Sequence, residues 1–238
     1  MMEKTAVKQV VVAGATGLIG RELTRQLHDR PGVAFTALVR RAGILTNLSD
    51  RVQEVLFDFD DPASYARLGG EIPCDVLLCA LGTTLKTAGS EAGFRKVDLE
   101  YPRALMERAA TLEPKPVFGL VSSIGAAQPR GFYLQTKAEV EKALLDSGLS
   151  YVIVRPSLLL GDREEFRLGE RLAAMLLAKP YLALARTFAP HAPQVWKYAP
   201  IEASKVAEAL LRVCVDEPPY QQGRVLSGIA LHHPILGA

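Results

Sequence analysis

One short stretch of the chain carries side chains suited to proton transfer: a serine pair, Ser122 and Ser123 in "VSSIGA", followed by Tyr133 and Lys137 in "YLQTK". Tyr133 and Lys137 stand four apart, so on a helix they share one face, a turn from each other. A free phenol ionises at about pH 10 and is a poor acid or base at neutrality unless a nearby cation stabilises its phenolate. Lys137 supplies such a cation, and an oxidised nicotinamide ring would supply another. Ser123 or Ser122 can then hydrogen-bond a substrate oxygen at which Tyr133 delivers its proton. That chemistry interconverts a carbonyl and an alcohol, and it requires a source of hydride.

The hydride carrier has its own signature in "VVVAGATGLIGREL", residues 10 to 23. A strand ending at Ala13 and a helix beginning near Gly17 must turn in very few residues, and Gly14 can take the backbone angles this needs. Gly17 lacks a β-carbon and lets a ligand approach the backbone, while Gly20 allows the helix to pack tightly on the strand. The helix N-terminal amides and macrodipole favour an anion such as pyrophosphate, to which the Thr16 hydroxyl can also donate. Past the next apolar run, "FTALV", come Arg40 and Arg41 where an NAD binder usually places a carboxylate for the ribose 2′-hydroxyl. A guanidinium can grip a 2′-phosphate with paired charged hydrogen bonds, so NADP(H) is expected over NAD(H). Asp58, closing "EVLFD", either accepts from the adenine amino group or caps the following turn.

These groups must be held by a scaffold, and the chain shows its plan. Short β-branched runs alternate with amphipathic stretches, the pattern of βαβ units on a parallel sheet. Strands are expected at Val7–Ala13, Ala34–Val39, Val52–Phe57, Asp75–Leu81, Val117–Ser122, Tyr151–Arg155 and Arg224–Ser227. Helices are expected at Leu18–Asp29, Pro62–Leu68, Glu91–Leu112, Phe132–Ser147, Glu165–Ala178 and Glu202–Asp216. In the Phe132–Ser147 helix, Leu134, Val140, Leu144 and Leu145 are expected to share a face, with Glu139 and Glu141 off it. Prolines at 180, 190, 193 and 200 mark Lys179 to Pro200 as loop. His191 is expected at the surface of that loop and Trp196 as a packing anchor.

The fold class predicted is α/β, a doubly wound parallel sheet (Rossmann fold) flanked by helices, with a small C-terminal substrate-side elaboration. The 238 residues form a single NAD(P)-binding domain, residues 1–238, in which about 156–200 make the substrate-side region. Lys plus Arg number 28 against 26 Asp plus Glu, and no block of like charge occurs, so no nucleic-acid partner is expected. Three cysteines without a CxxC pair read as core thiols in a reducing compartment, and no metal site is expected. Without a secretory h-region or a span of 18 apolar residues, the expectation is no membrane partner and a cytoplasmic location.

Taken together, "GATGLIG", "LVRR", "CALGTT", "VDLEY", "SSIGA", "YLQTKAEVE" and "RPSLLLGDREEFRLGE" resemble an atypical short-chain dehydrogenase/reductase. Within that superfamily the chain is most similar to the Tat-interacting-protein oxidoreductase group of NADPH binders. The resemblance implies cofactor contacts from Thr16, Gly17, Leu18, Ile19, Arg40 and Arg41, and from Leu81 and Gly82 in "CALGTT". It implies Tyr133 as acid/base, Lys137 on the nicotinamide ribose, Leu159 at the carboxamide and Arg167 reaching phosphate. Two departures stand out: Cys79 and Ala80 replace an Asn-containing run common in the superfamily, and Asp98 stands where extended members often carry Asn. The gap from Ser122 and Ser123 to Tyr133 is slightly short and leaves the working serine open. The function expected is an NADPH-dependent oxidoreductase acting on a small carbonyl or alcohol. Its alternative is an NADP(H)-sensing protein that regulates a partner protein without turnover, and a nucleotide-sugar epimerase or dehydratase is a third reading.

Overall fold

The computed structural model describes residues 7–45, 51–160, 196, 198–217 and 223–232. Its strands are β1 (Lys8–Ala13), β2 (Val33–Val39), β3 (Val52–Leu56), β4 (Val76–Cys79), β5 (Val117–Val121), β6 (Tyr151–Arg155), the two-residue β7 (Leu159–Leu160) and β8 (Ile201–Glu202), and β9 (Arg224–Ser227). Its helices are α1 (Leu18–His28), α2 (Pro62–Ala66), α3 (Leu85–Ala88), α4 (Glu91–Arg95), α5 (Tyr101–Ala109), α6 (Gly131–Asp146), α7 (Ala203–Leu211) and α8 (Ile229–His232). A π turn at Lys96–Glu100 joins α4 to α5, and another at Arg212–Asp216 extends α7.

Seven strands form one sheet in the order β3-β2-β1-β4-β5-β6-β9, and every neighbouring pair is parallel. The valine run of β1 shows why both faces are covered. Val10 and Val12 pack with Leu23 and Leu27 of α1 and Val206 and Leu210 of α7, whereas Val11 and Ala13 face the opposite way, into a cluster with Leu105, Met106, Val140 and Leu144. Side chains alternate across a strand, so a run apolar at every position is what a sheet between two helical layers requires. The chain reverses its strand order between β1 and β4, and the crevice beyond their carboxyl ends is where open α/β sheets bind ligands.

The expected doubly wound sheet is therefore the observed one, with differences of detail. The single helix expected over Glu91–Leu112 is broken into α4, the π turn and α5. The short α3 and α8 and the separate two-stranded β7–β8 sheet had no periodic signal to announce them. The helix expected at Glu165–Ala178 lies outside the described residues. In α6 the buried stripe is Thr136, Lys137, Val140, Glu141 and Leu144, while Leu145 is exposed. This corrects the sequence reading of that face: Glu141 points inward because it is paired there, and Leu145 lies one position beyond the buried stripe. Trp196 is fully buried against Ala199, its ring 4.9 Å from that of His232, as expected for a packing anchor.

Candidate active site

The turn after β1 is built by its glycines. Gly14 has φ +85°, and a β-carbon there would lie 2.5 Å from the Ala80 carbonyl, so the ends of β1 and β4 touch only because this side chain is missing. At Gly20 a β-carbon would sit 2.0 Å from the Gly14 oxygen, which holds α1 hard against the turn. Gly17 is the N-cap of α1; its amide donates to the Gly14 carbonyl at 3.0 Å, and no side chain caps the helix. Gly17, Leu18 and Ile19 line a cleft of about 250 Å³ with Ala80, Leu81, Gly82 and Thr83 opposite. An uncapped N-terminus of an eleven-residue helix opening on a cleft fits the pyrophosphate of a dinucleotide.

The same cleft is lined by Ser122, Ser123, Tyr133, Lys137, Asp98 and Leu159. Tyr133, in the first turn of α6, is 41 % exposed, and its ring leans on Phe94 with centroids 5.7 Å apart. Lys137, one turn on, is buried, with its Nζ 2.8 Å from Asp98 Oδ1. Burial alone would lower the Lys137 pKa, but the Asp98 carboxylate and Tyr133 more than offset it and hold the ammonium above its ordinary value. The site thus contains a fixed cation one helical turn from a phenol that solvent or substrate can reach. Cys79 beneath it is a neutral thiol, its pKa pushed by burial up to about 12.

The two serines differ in what holds them. Ser122 is buried, and its hydroxyl donates to Glu141 Oε1; that carboxylate also takes the Arg155 guanidinium, with Nε at 2.9 Å from Oε1 and 3.2 Å from Oε2. Ser123 is half-buried, and its hydroxyl has only a 3.3 Å contact with the adjacent Ile124 carbonyl. Ser123 can therefore turn to a substrate oxygen without breaking an ionic network, whereas Ser122 cannot. The sequence reading gave Glu141 and Arg155 no part in the site and set Glu141 off the buried face, although a Lys and a Glu four apart, as at 137 and 141, share one helix face.

Other expected residues lie at the edge of the crevice. Arg40 and Arg41 are exposed directly after β2, beside β1, and neither pairs with a described residue. Thr16 is exposed in the glycine turn, with its carbonyl accepting from Arg21 Nε at 3.2 Å. Asp58 Oδ1 accepts the Asp60 amide at 2.9 Å. Arg167 and His191 lie outside the described residues. Among the described residues no cluster of metal-ligating side chains occurs, and no helix is long and apolar enough to cross a membrane.

A glycine turn at the β1–β4 switch point of a seven-stranded parallel sheet defines a Rossmann fold of the NAD(P)-binding, oxidoreductase-like class. The chain belongs to the NAD(P)H-binding family, which it matches over residues 14–174, and within it to the atypical short-chain dehydrogenase/reductase group. It is 30 % identical to Protein FMP52, mitochondrial, of Coccidioides immitis over 237 residues, covering 91 % of this chain and 92 % of that protein. It is 34 % identical to Protein HTATIP2 of Rattus norvegicus over 171 residues, covering 70 % and 69 % of the two chains. The UDP-glucose 4-epimerase of Thermus thermophilus, solved in complex with NAD, shares the fold with a TM-score of 0.68 at 19 % identity, over 92 % of this chain and 77 % of that one. The expectation of a cytoplasmic location is corrected by these relatives, since FMP52 proteins are named mitochondrial. The three cysteines are free thiols, and free thiols do not tell one reducing compartment from another.

Proposed function

We propose that this protein is an NADPH-dependent reductase of a small carbonyl compound, working reversibly on the corresponding alcohol, with residues 1–238 acting as one NAD(P)-binding domain and about 156–200 as its substrate-side region. The observation that carries the reading is the exposed Tyr133 phenol one turn from the buried Lys137 ammonium, in the cleft that the α1 N-terminus opens on. The Leu18 and Ile19 amides would hold pyrophosphate, Leu81, Gly82 and Leu159 would flank the ribose and carboxamide, and Arg40 and Arg41 would take the 2′-phosphate, with Thr16, Asp58 and Arg167 at the outer contacts. When bound, the reduced dinucleotide supplies hydride to the carbonyl carbon. Ser123 donates a hydrogen bond to the carbonyl oxygen and orients it toward Tyr133. As the C–H bond forms and the C=O electron pair moves to oxygen, Tyr133 gives its proton to that oxygen and is left as phenolate beside Lys137; solvent returns the proton.

A panel of aldehydes and ketones, followed by NADPH oxidation, tests the reading. Turnover of at least one member is the expected result. Silence across the panel, with NADPH bound at micromolar affinity, would overturn it in favour of a cofactor-sensing protein. Three further results are expected. Arg40→Ala with Arg41→Ala should weaken NADPH by about 30-fold, on the scale of one or two lost charged hydrogen bonds, and NADH by less than about threefold, as read by calorimetry. Equal weakening of both would move the 2′-phosphate elsewhere. Ser123→Ala should lower kcat by about 10- to 100-fold at unchanged Tm. Ser122→Ala, by leaving Glu141 one donor short, should instead cost about 1 kcal/mol of stability and keep most of the turnover.

A further inference from the structure

Asp98 contributes a full negative charge to this cleft. Its side chain is 1 % exposed, and both oxygens are engaged: Oδ1 with Lys137 Nζ at 2.8 Å, and Oδ2 as acceptor of the Thr83 amide at 2.8 Å. One carboxylate thus ties α6 to the loop after β4, whose Leu81, Gly82 and Thr83 line the cleft. Gly82 lies beside this carboxylate: a β-carbon there would meet Asp98 Oδ1 at 3.5 Å, in ordinary van der Waals contact. Asp98 reaches inward from the π turn Lys96–Glu100, which buries Asp98 and Leu99 while Lys96 reaches out to Asp60 at 2.7 Å. Single π turns are rare inside α-helical segments and recur at functional sites, because the added residue re-aims one side chain.

A neutral amide at this position would be enough to hydrogen-bond a lysine. A carboxylate does two more things: it keeps a buried ammonium charged, and it offsets that ammonium's field on a neighbouring phenol. We propose that Asp98 is a positioning residue of this site, clamping the Lys137 ammonium to the Thr83 loop and cancelling part of the pull that this cation exerts on the Tyr133 proton. The inference rests on the reductase reading for its chemistry. The titratable groups facing the pair are Tyr133 on α6 and the Cys79 thiol of β4, which stays neutral. The serines of the strand end after β5 bring no charge. The charged pair Arg95–Glu139, between α4 and α6, is exposed and neutral as a pair.

The phenolate absorbance of the full chain tests this without turnover. Subtracting the titration of Tyr133→Phe from that of the parent protein isolates the Tyr133 curve, and Asp98→Asn, made in a Lys137→Arg background whose guanidinium stays charged without the carboxylate, should move its midpoint toward acid by about one pH unit. Asp98→Glu, which keeps the charge, should leave the midpoint within a few tenths of a unit. An unmoved midpoint in a folded Asp98→Asn protein would overturn the proposal and leave Asp98 a structural anchor, a role that its thermal melt alone would report. Should Asp98→Asn fail to fold, Asp98→Ser, whose hydroxyl can still accept from the Thr83 amide, is read in its place with the same two outcomes. A shifted midpoint in a protein with no carbonyl turnover would sink the reductase reading and spare the Asp98 inference; turnover with an unmoved midpoint would do the reverse.

Discussion

Tyr133→Phe should remove turnover by about 10²- to 10⁴-fold, the usual worth of a positioned general acid, while NADPH affinity stays within about twofold. The substitution deletes one oxygen and leaves the ring, which rests on Phe94 at 5.7 Å and supports the first turn of α6. The glycine turn and the α1 N-terminus, which would bind the dinucleotide, do not depend on that oxygen. Binding and chemistry are therefore separable in this variant, and calorimetry beside a steady-state assay reads each. A variant retaining more than about half of the wild-type kcat would show that the proton comes from another group, and the arrangement of Tyr133 with Lys137 would lose its chemical meaning.

The largest effect on stability is expected at Glu141. Its carboxylate is buried and receives three groups at once: the Ser122 hydroxyl and two nitrogens of Arg155, one of them Nε at 2.9 Å. Glu141→Ala leaves the Arg155 guanidinium, whose side chain is 20 % exposed, without its partner and orphans the serine as well. Breaking a buried pair from one side costs about 3 kcal/mol, far more than the net worth of the pair itself. For a chain of this size the loss corresponds to a Tm lower by about 10 °C, read by calorimetry or circular dichroism. Glu141→Gln, which keeps the shape and one acceptor oxygen, should recover part of it. If Glu141→Ala melts within about 2 °C of the wild type, the network is not holding β5, β6 and α6 together as its geometry implies. The contrast with Tyr133→Phe is informative, because one variant should lose chemistry at full stability and the other stability before chemistry.

These two residues also show how much could be read from the chain. Tyr133 and Lys137 are legible because four-residue spacing on a helix needs no tertiary information, and the order of glycine turn, serine pair and tyrosine is carried along the chain. Glu141 reads as solvent-facing, since a carboxylate in a helix has a low prior of burial. Only Arg155, arriving from the end of β6, makes its burial possible. Asp98 is visible as a departure, but its role depends on a π turn, which leaves no periodic trace in sequence, and on the Thr83 amide brought in from the loop after β4.

By itself the sequence determined the alternation of strand and helix, the glycine turn at the first crossover, the parallel sheet and the pairing of Tyr133 with Lys137, because each follows from local spacing and from apolar runs that must be buried on both faces. The tertiary structure alone decided which serine is free, which carboxylate holds the lysine and which is taken by an arginine. Those choices are made between side chains far apart in the chain, where a charge can be buried only if another element delivers its partner.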